Sequence, residues 1–360
     1  MPKLKYNKEM SLGLKGIAIL LMLMHHNFGA VSLFEKYDVS FFPFPQNWIV
    51  NACDMGKICV SLFAFVSGYG LFLSCQNSKE DKTKWVMIRY IKTFSGYWMI
   101  WILSSIITEL INGRFLRVFM SDNIWESMLE IAIDFFGFAS LFGTASLNGT
   151  WWYMSAAFVF ILITPLLTKY KENLWLILIG VIVFWRVIAF AAGINIFPGG
   201  KSIYAFLTPF ILGTLFAKNN YIDKLINRKN KSIRFVIELI LLLVSYKIYT
   251  GVHTEYFWEL KWGAIPLVVI LFCVEFVICI PGIKKILVFL GEHSANIYMT
   301  HTFIRAFYLM DFTYSWKYFL LITAVLLVIC LIISMGVELL KKMIKYYTYI
   351  IRLCMKVKGV

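Results

Sequence analysis

Stretches of about 20 mostly apolar residues recur from one end of this chain to the other, and that recurrence limits what it can fold into. In hydrocarbon every backbone N–H and C=O must find a partner within its own segment, so each stretch is expected to be a helix. The candidates fall near 14–33, 56–75, 93–111, 151–168, 173–192, 202–217, 233–250, 262–280, 294–310 and 318–340. With 60% of 360 residues hydrophobic and 15% charged, no single soluble core could absorb the apolar surface. The expected fold class is an all-α integral membrane protein of about ten transmembrane helices, organised as a single membrane-embedded domain over 1–360 with no separate soluble domain.

The net charge of +15 would suggest nucleic acid in a soluble protein, but its distribution argues otherwise. Most of the 35 Lys and Arg residues gather in segments 3–15, 79–92, 169–171, 218–234, 284–285 and 341–358. Ten spans put all of these on one side. Under the positive-inside rule that side is cytoplasmic, so both termini are expected in the cytoplasm. The partners of such basic patches are anionic membrane lipid or a phosphorylated metabolite, and no nucleic acid is expected.

Segment 124–143 needs separate treatment. Glu126, Glu130 and Asp134 lie four residues apart and share a helix face, which is costly against lipid. Counting it as a span would also invert everything after it and put the later basic clusters outside. It is expected to be an extra amphipathic or re-entrant helix on the extracellular side. The basic, then apolar N-terminus reads as a retained first span, since its apolar stretch is long and no A-x-A cleavage site follows. The seven cysteines form no CxxC pair and no metal-like cluster with histidine, so no metal is expected; Cys53 and Cys59 are the one pair that could meet outside.

Ionisable side chains inside a membrane are costly and so are functional candidates. The first span, KGIAILLMLMHHNF, carries Lys15, His25, His26 and Asn27. Lys15 and His26 are eleven residues apart, almost three whole turns, and so share one face with roughly 16 Å between them. His25 points about 100° away. In SANIYMTHTFIR, Ser294, Tyr298, His301 and Arg305 follow spacings of four, three and four along one side; they form a polar seam or the wall of a substrate cavity. Arg89 and Lys92 lie three residues apart at a cytoplasmic entry, where they could anchor the helix or clasp phosphate oxygens. Ser67, Gly68 and Gly70 permit close helix approach. Trp151, Trp152 and Tyr153 suit an interfacial anchor or a sugar-stacking surface. Glu109, Arg186, Glu238, Lys247 and Glu275 are further charges in or near spans, and nothing in the sequence pairs them.

These segments together resemble the acyltransferase 3 family, membrane-bound enzymes that acylate bacterial surface glycans and lipids. The family opens on an Arg, ten residues and a His; here Lys15 and His26 stand in those places. Ser67-Gly68-Tyr69 matches its Ser-Gly-aromatic turn, Arg89 and Lys92 its basic element before the third helix, and Trp152-Tyr153-Met154 its Trp-aromatic-aliphatic start of a later helix. Ser294, Ile297, Tyr298, Met299 and His301 match the closing motif. Lys replaces Arg twice, which keeps charge and loses bidentate geometry. Many members carry a Glu shortly after the Trp motif, where this chain has Ala156 and Ala157.

The resemblance implies an acyl-CoA donor, most often acetyl-CoA, and no permanently bound cofactor. It implies His26 as the catalytic residue, with Lys15, Arg89 and Lys92 on the donor phosphates. Ser67, Trp152, Tyr153, Ser294, Tyr298, His301 and Arg305 would line the acceptor side. The acceptor would be a hydroxyl of a surface polysaccharide or lipid-linked glycan, and the location the plasma membrane. A transporter or flippase for a glycan or lipid, using the same charges as a permeation path, is the alternative.

Overall fold

The structure, a computed structural model, describes residues 5–192, 203–251 and 258–359; Lys3 and residue 202, the expected start of the sixth span, lie outside these. The first half is built from α1 (Lys8–Phe28), α2 (Gln46–Met55), α3 (Cys59–Gln76), α4 (Lys82–Asn112), α5 (Arg114–Phe119), α6 (Ile124–Phe135), α7 (Ala139–Phe142) and α8 (Trp152–Lys169). The second half adds α9 (Leu174–Ala192), α10 (Leu207–Asn219), α11 (Tyr221–Ile226), α12 (Lys231–Gly251), α13 (Ile265–Phe272), α14 (Pro281–Thr302), α15 (Met310–Tyr314), α16 (Phe319–Met343) and α17 (Tyr346–Lys358). Among the described residues there are no strands beyond one isolated bridge, Ser40 to Tyr318.

Among the described residues, five helical segments are long and apolar enough to cross a membrane: Gln46–Gln76, Lys82–Asn112, Gly149–Lys169, Leu260–Val277 and Phe319–Met343. Several faces are inside out relative to a soluble bundle. On α16, Ile322, Leu326, Cys330, Ser334 and Val337 are buried at helical spacing, while Leu320, Val328, Ile332 and Met335 point outward. An apolar outer face of that kind suits lipid.

Helix α1 is the hub, packed on α3 and α14, and α3 in turn lies on α10. Both central pairs close on glycine. A side chain at Gly16 would lie 2.1 Å from the Leu287 carbonyl oxygen, and one at Gly291 would lie 2.0 Å from that of Leu12. The second pair repeats the device: Gly68 meets the Phe210 carbonyl and Gly213 that of Phe65. Only residues without Cβ allow backbones so near, which is how helices pack when lipid supplies no hydrophobic drive. Gly70, by contrast, faces open space. The pair α1 and α14 runs parallel: an ion pair joins Glu9 to Lys284 in the first turns, and His26 meets His301 in the last, at the same offset in sequence.

Two expectations change in detail. Helix α14 starts at Pro281, well before 294, with the proline in its first turn where no N–H is needed. Lys284, Lys285 and Glu292 dilute the apolar signal there and hide the early turns. Segment 124–143 is two short helices broken at Gly137, whose φ is +80°. At 12 residues α6 is about 18 Å long, too short to span the hydrocarbon. Its three acids are not one solvated stripe either. Glu126 is exposed, whereas Asp134 turns inward and is buried, accepting from Trp101 Nε1 at 2.8 Å and from the Leu147 N–H at 3.2 Å.

Some of the charges that the sequence left unpaired find partners, whereas the buried Glu238 Oε2 has none among the described residues. Arg234 binds Glu275 at 2.5 Å, with the carboxylate buried, and also reaches the Ile226 carbonyl at 3.1 Å. Lys341, also buried, binds Glu338 at 2.7 Å and Asn296 at 3.3 Å, tying α16 to α14. Arg186 pairs with Glu259.

Candidate functional site

The polar residues of α1 and α14 converge at the C-terminal ends of the two helices. The imidazoles of His26 and His301 lie with ring centroids 5.0 Å apart and planes inclined by 34°. His25 stands 5.3 Å from His26 on its other side. The three rings are not equivalent. His25 Nδ1 lies 3.1 Å from the Cys53 carbonyl and His301 Nδ1 lies 2.8 Å from the Tyr298 carbonyl. A carbonyl only accepts, so both of these Nδ1 atoms carry the proton and are committed to the frame. His26 has no hydrogen bond or ion pair among the described residues, and it is half-buried rather than sealed. Of the three it is the one whose nitrogens are free to meet a substrate.

Arg305 and Lys57 are both within electrostatic range of His25 and His26, and Arg305 also reaches His301. Arg305 sits on a π-turn, Phe303–Tyr308, that continues α14. Such turns often mark functional sites because they re-aim side chains. Its Nε is buried without a partner, as are both side-chain atoms of Asn27, next to His26. Buried polar groups left open in this way imply that something polar completes them.

A short hydrogen-bond chain leads outward from His301. Its Nε2 lies 3.3 Å from Thr302 Oγ1, which is 3.1 Å from Thr150 Oγ1. Tyr298 donates its hydroxyl to the Thr150 carbonyl, and Trp151 Nε1 donates to the Met299 carbonyl at 2.9 Å. The segment before α8 is thereby fastened to the last turns of α14. Trp151 is buried against Tyr97 and Phe303, so it is a rigid part of the wall and not an interfacial anchor. Trp152 packs on Phe206, and Tyr153 sits between Trp152 and Tyr298. Ser67 lies against Tyr153. Ser294 is buried and donates to the Gly291 carbonyl of its own helix at 2.7 Å, apart from the histidines.

The remaining residues picked from the sequence lie elsewhere. Arg89 donates to Ser74, with Nε at 3.1 Å, and its guanidinium lies 5.9 Å from the Trp85 ring. Lys92 is exposed one turn further along α4. Lys15 makes no hydrogen bond or ion pair among the described residues, and its spacing sets it about 16 Å below His26 along α1. Sequence reasoning missed Thr150 and Thr302, which carry no motif, and Lys57, whose place beside His25 depends on the short turn joining α2 to α3. Cys53 and Cys59 are free thiols.

The family model of an acyltransferase domain, acyltransferase 3, matches residues 13–335, which take in every residue of this site. No curated protein and no solved structure matches the chain.

Proposed function

This chain belongs to the acyltransferase 3 family of membrane acyltransferases, and on that premise we propose that it moves an acetyl group from acyl-CoA on the cytoplasmic side to a hydroxyl of a surface polysaccharide or lipid-linked glycan. The proposal includes ten spans in the plasma membrane, with both termini cytoplasmic. One observation carries it: His26 stands beside His301 with its nitrogens uncommitted, while its two neighbours are fixed by carbonyls. In this reading the His26 imidazole takes the proton of the acceptor hydroxyl as that oxygen attacks the thioester carbonyl. The new O–C bond forms, the C–S bond breaks, and the proton passes to the departing CoA thiolate. Transfer in two steps through an acyl-histidine uses the same residue as nucleophile.

Arg89 and Lys92, in the first turns of α4, suit the donor phosphates, with Lys15 at the same end of α1. The acceptor then enters from the opposite face, against Ser67, Trp152, Tyr153, Tyr298, His301 and Arg305, with Ser294 buried behind this wall. Arg305, which acts electrostatically on all three imidazoles, would hold the oxyanion that develops at the attacked carbonyl.

The test is acyl transfer in membrane vesicles from radiolabelled acetyl-CoA to the host's own surface polysaccharide, stripped of its esters by mild alkali. Wild type should label the polysaccharide. His26→Ala, at equal membrane level and unchanged melting in detergent, should not. Equal labelling by both would remove His26 from the chemistry.

A further inference from the structure

Between the end of α6 and the start of α8 the chain folds around a partly enclosed cavity of about 190 Å³. It is lined by the aromatic residues Tyr97, Trp151 and Trp152, by Ser140, Thr144 and Ser146, and by Asp134. The Thr144 Oγ1 is buried without a hydrogen-bond partner, and so is the Nδ2 of Asn148 just beyond. The cavity also opens next to the chemistry. Gly149 and Trp151 line it, and Thr150 between them is the outer end of the chain through Thr302 to His301.

We propose that this cavity holds one sugar residue of the acceptor, presenting its hydroxyl towards the histidine pair; the proposal rests on the acyl-transfer reading and names the acceptor subsite within it. Trp152, the half-buried member of the three aromatic residues, suits the apolar face of a pyranose ring, and residues with single hydroxyl groups suit its edge. Among the described residues no Lys, Arg or His lines the cavity, so the subsite favours a neutral sugar over a uronic acid or a phosphate. Its size suits one ring and not an oligosaccharide. Asp134 itself is a positioning residue: its carboxylate holds the Trp101 indole and the Leu147 amide, and so fixes the 144–150 segment that forms the wall.

Ser140 is exposed on the rim and gives access for a test. In Ser140→Cys, a membrane-impermeant methanethiosulfonate applied from outside should modify the new thiol, read by mass at that peptide. De-esterified surface polysaccharide at ten times its dissociation constant should slow modification about tenfold, because only that fraction of cavities stays empty. Modified protein should lose transfer of acetyl from acetyl-CoA to the polysaccharide. Transfer by the modified protein at the unmodified rate, with no protection by polysaccharide, overturns the subsite and leaves the transferase reading standing. Protection without any transfer by the unmodified chain keeps the subsite and retires the transferase reading.

Discussion

Replacing Gly16 by alanine tests whether the α1–α14 contact sets the histidine geometry. The added Cβ would sit 2.1 Å from the Leu287 carbonyl oxygen, where ordinary contact begins at 3.4 Å, so the helices must part by about 1.3 Å. The obstacle is backbone and has no rotamer to relax into. Overpacking of this order costs about 1–3 kcal/mol. The functional effect should be larger than that suggests. His26 lies ten residues further along the same helix, about 15 Å away, and a stiff helix carries the displacement to it. Added to a ring separation of 5.0 Å, such a shift opens the pair to about 6.3 Å. A misplacement near 1 Å lowers rates about 100-fold. The assay is the initial rate of acetyl transfer in vesicles, beside the melting temperature in detergent. Gly336→Ala on α16 is the control, since nothing lies within 4 Å of its added Cβ; it should be neutral, or stabilise by up to about 1 kcal/mol through helix propensity. Wild-type rate and melting in Gly16→Ala would refute the claim that this contact positions the histidines.

Three other outcomes are expected. Arg234→Ala strands the buried Glu275 carboxylate and should destabilise by about 3–5 kcal/mol, seen as a lower melting temperature and lower yield, whereas the Arg234→Ala/Glu275→Gln pair should recover most of it. Asp134→Ala leaves the Trp101 Nε1–H and the Leu147 N–H without their shared acceptor, which should cost about 1–3 kcal/mol and speed amide exchange in 144–150; unchanged exchange there would deny Asp134 its positioning role. Arg89→Ala should raise the KM for acetyl-CoA about tenfold, the worth of one hydrogen bond to a charged group, with kcat nearly unchanged; an unchanged KM would separate Arg89 from the donor.

Much of the architecture was legible because lipid imposes a simple rule on sequence. Apolar length located the helices, and Lys15, His26, Tyr298 and His301 stood out because polar groups are rare in such segments. What escaped was pairwise and long-range. Nothing local says that Glu9 meets Lys284, that Arg234 meets Glu275, or that Gly16 and Gly291 touch carbonyls while Gly70 touches nothing. The acidic spacing of 124–134 implied one exposed face, but a left-handed glycine at 137 and two donors turned Asp134 inward. The helix register also failed at Arg305, where a π-turn replaces the α-helical spacing that the four, three, four pattern assumed.

Helix α4 brings the donor and acceptor readings into one frame. Its early turns carry Arg89 and Lys92, and its later turns carry Tyr97 in the cavity wall and Trp101 holding Asp134. From Arg89 to Trp101 is twelve residues, about 18 Å along one rigid rod. On the acyl-transfer proposal, a donor arm entering beside Arg89 would cover a distance of that order to reach the wall that Tyr97 and Trp151 form beside α14. An acceptor sugar in the cavity need move hardly at all. The Arg89 end of that rod is itself braced: Tyr346 binds Ser95 at 2.5 Å, and Lys358 binds Glu80 at 2.9 Å while its carbonyl receives Lys84 at 3.0 Å. Helix α17, with Arg352, Lys356 and Lys358, is thus held along that end of α4. On the acyl-transfer proposal the moving part of the reaction is then the donor's own arm, with the Arg89 end and the cavity held at a constant distance from one uncommitted imidazole.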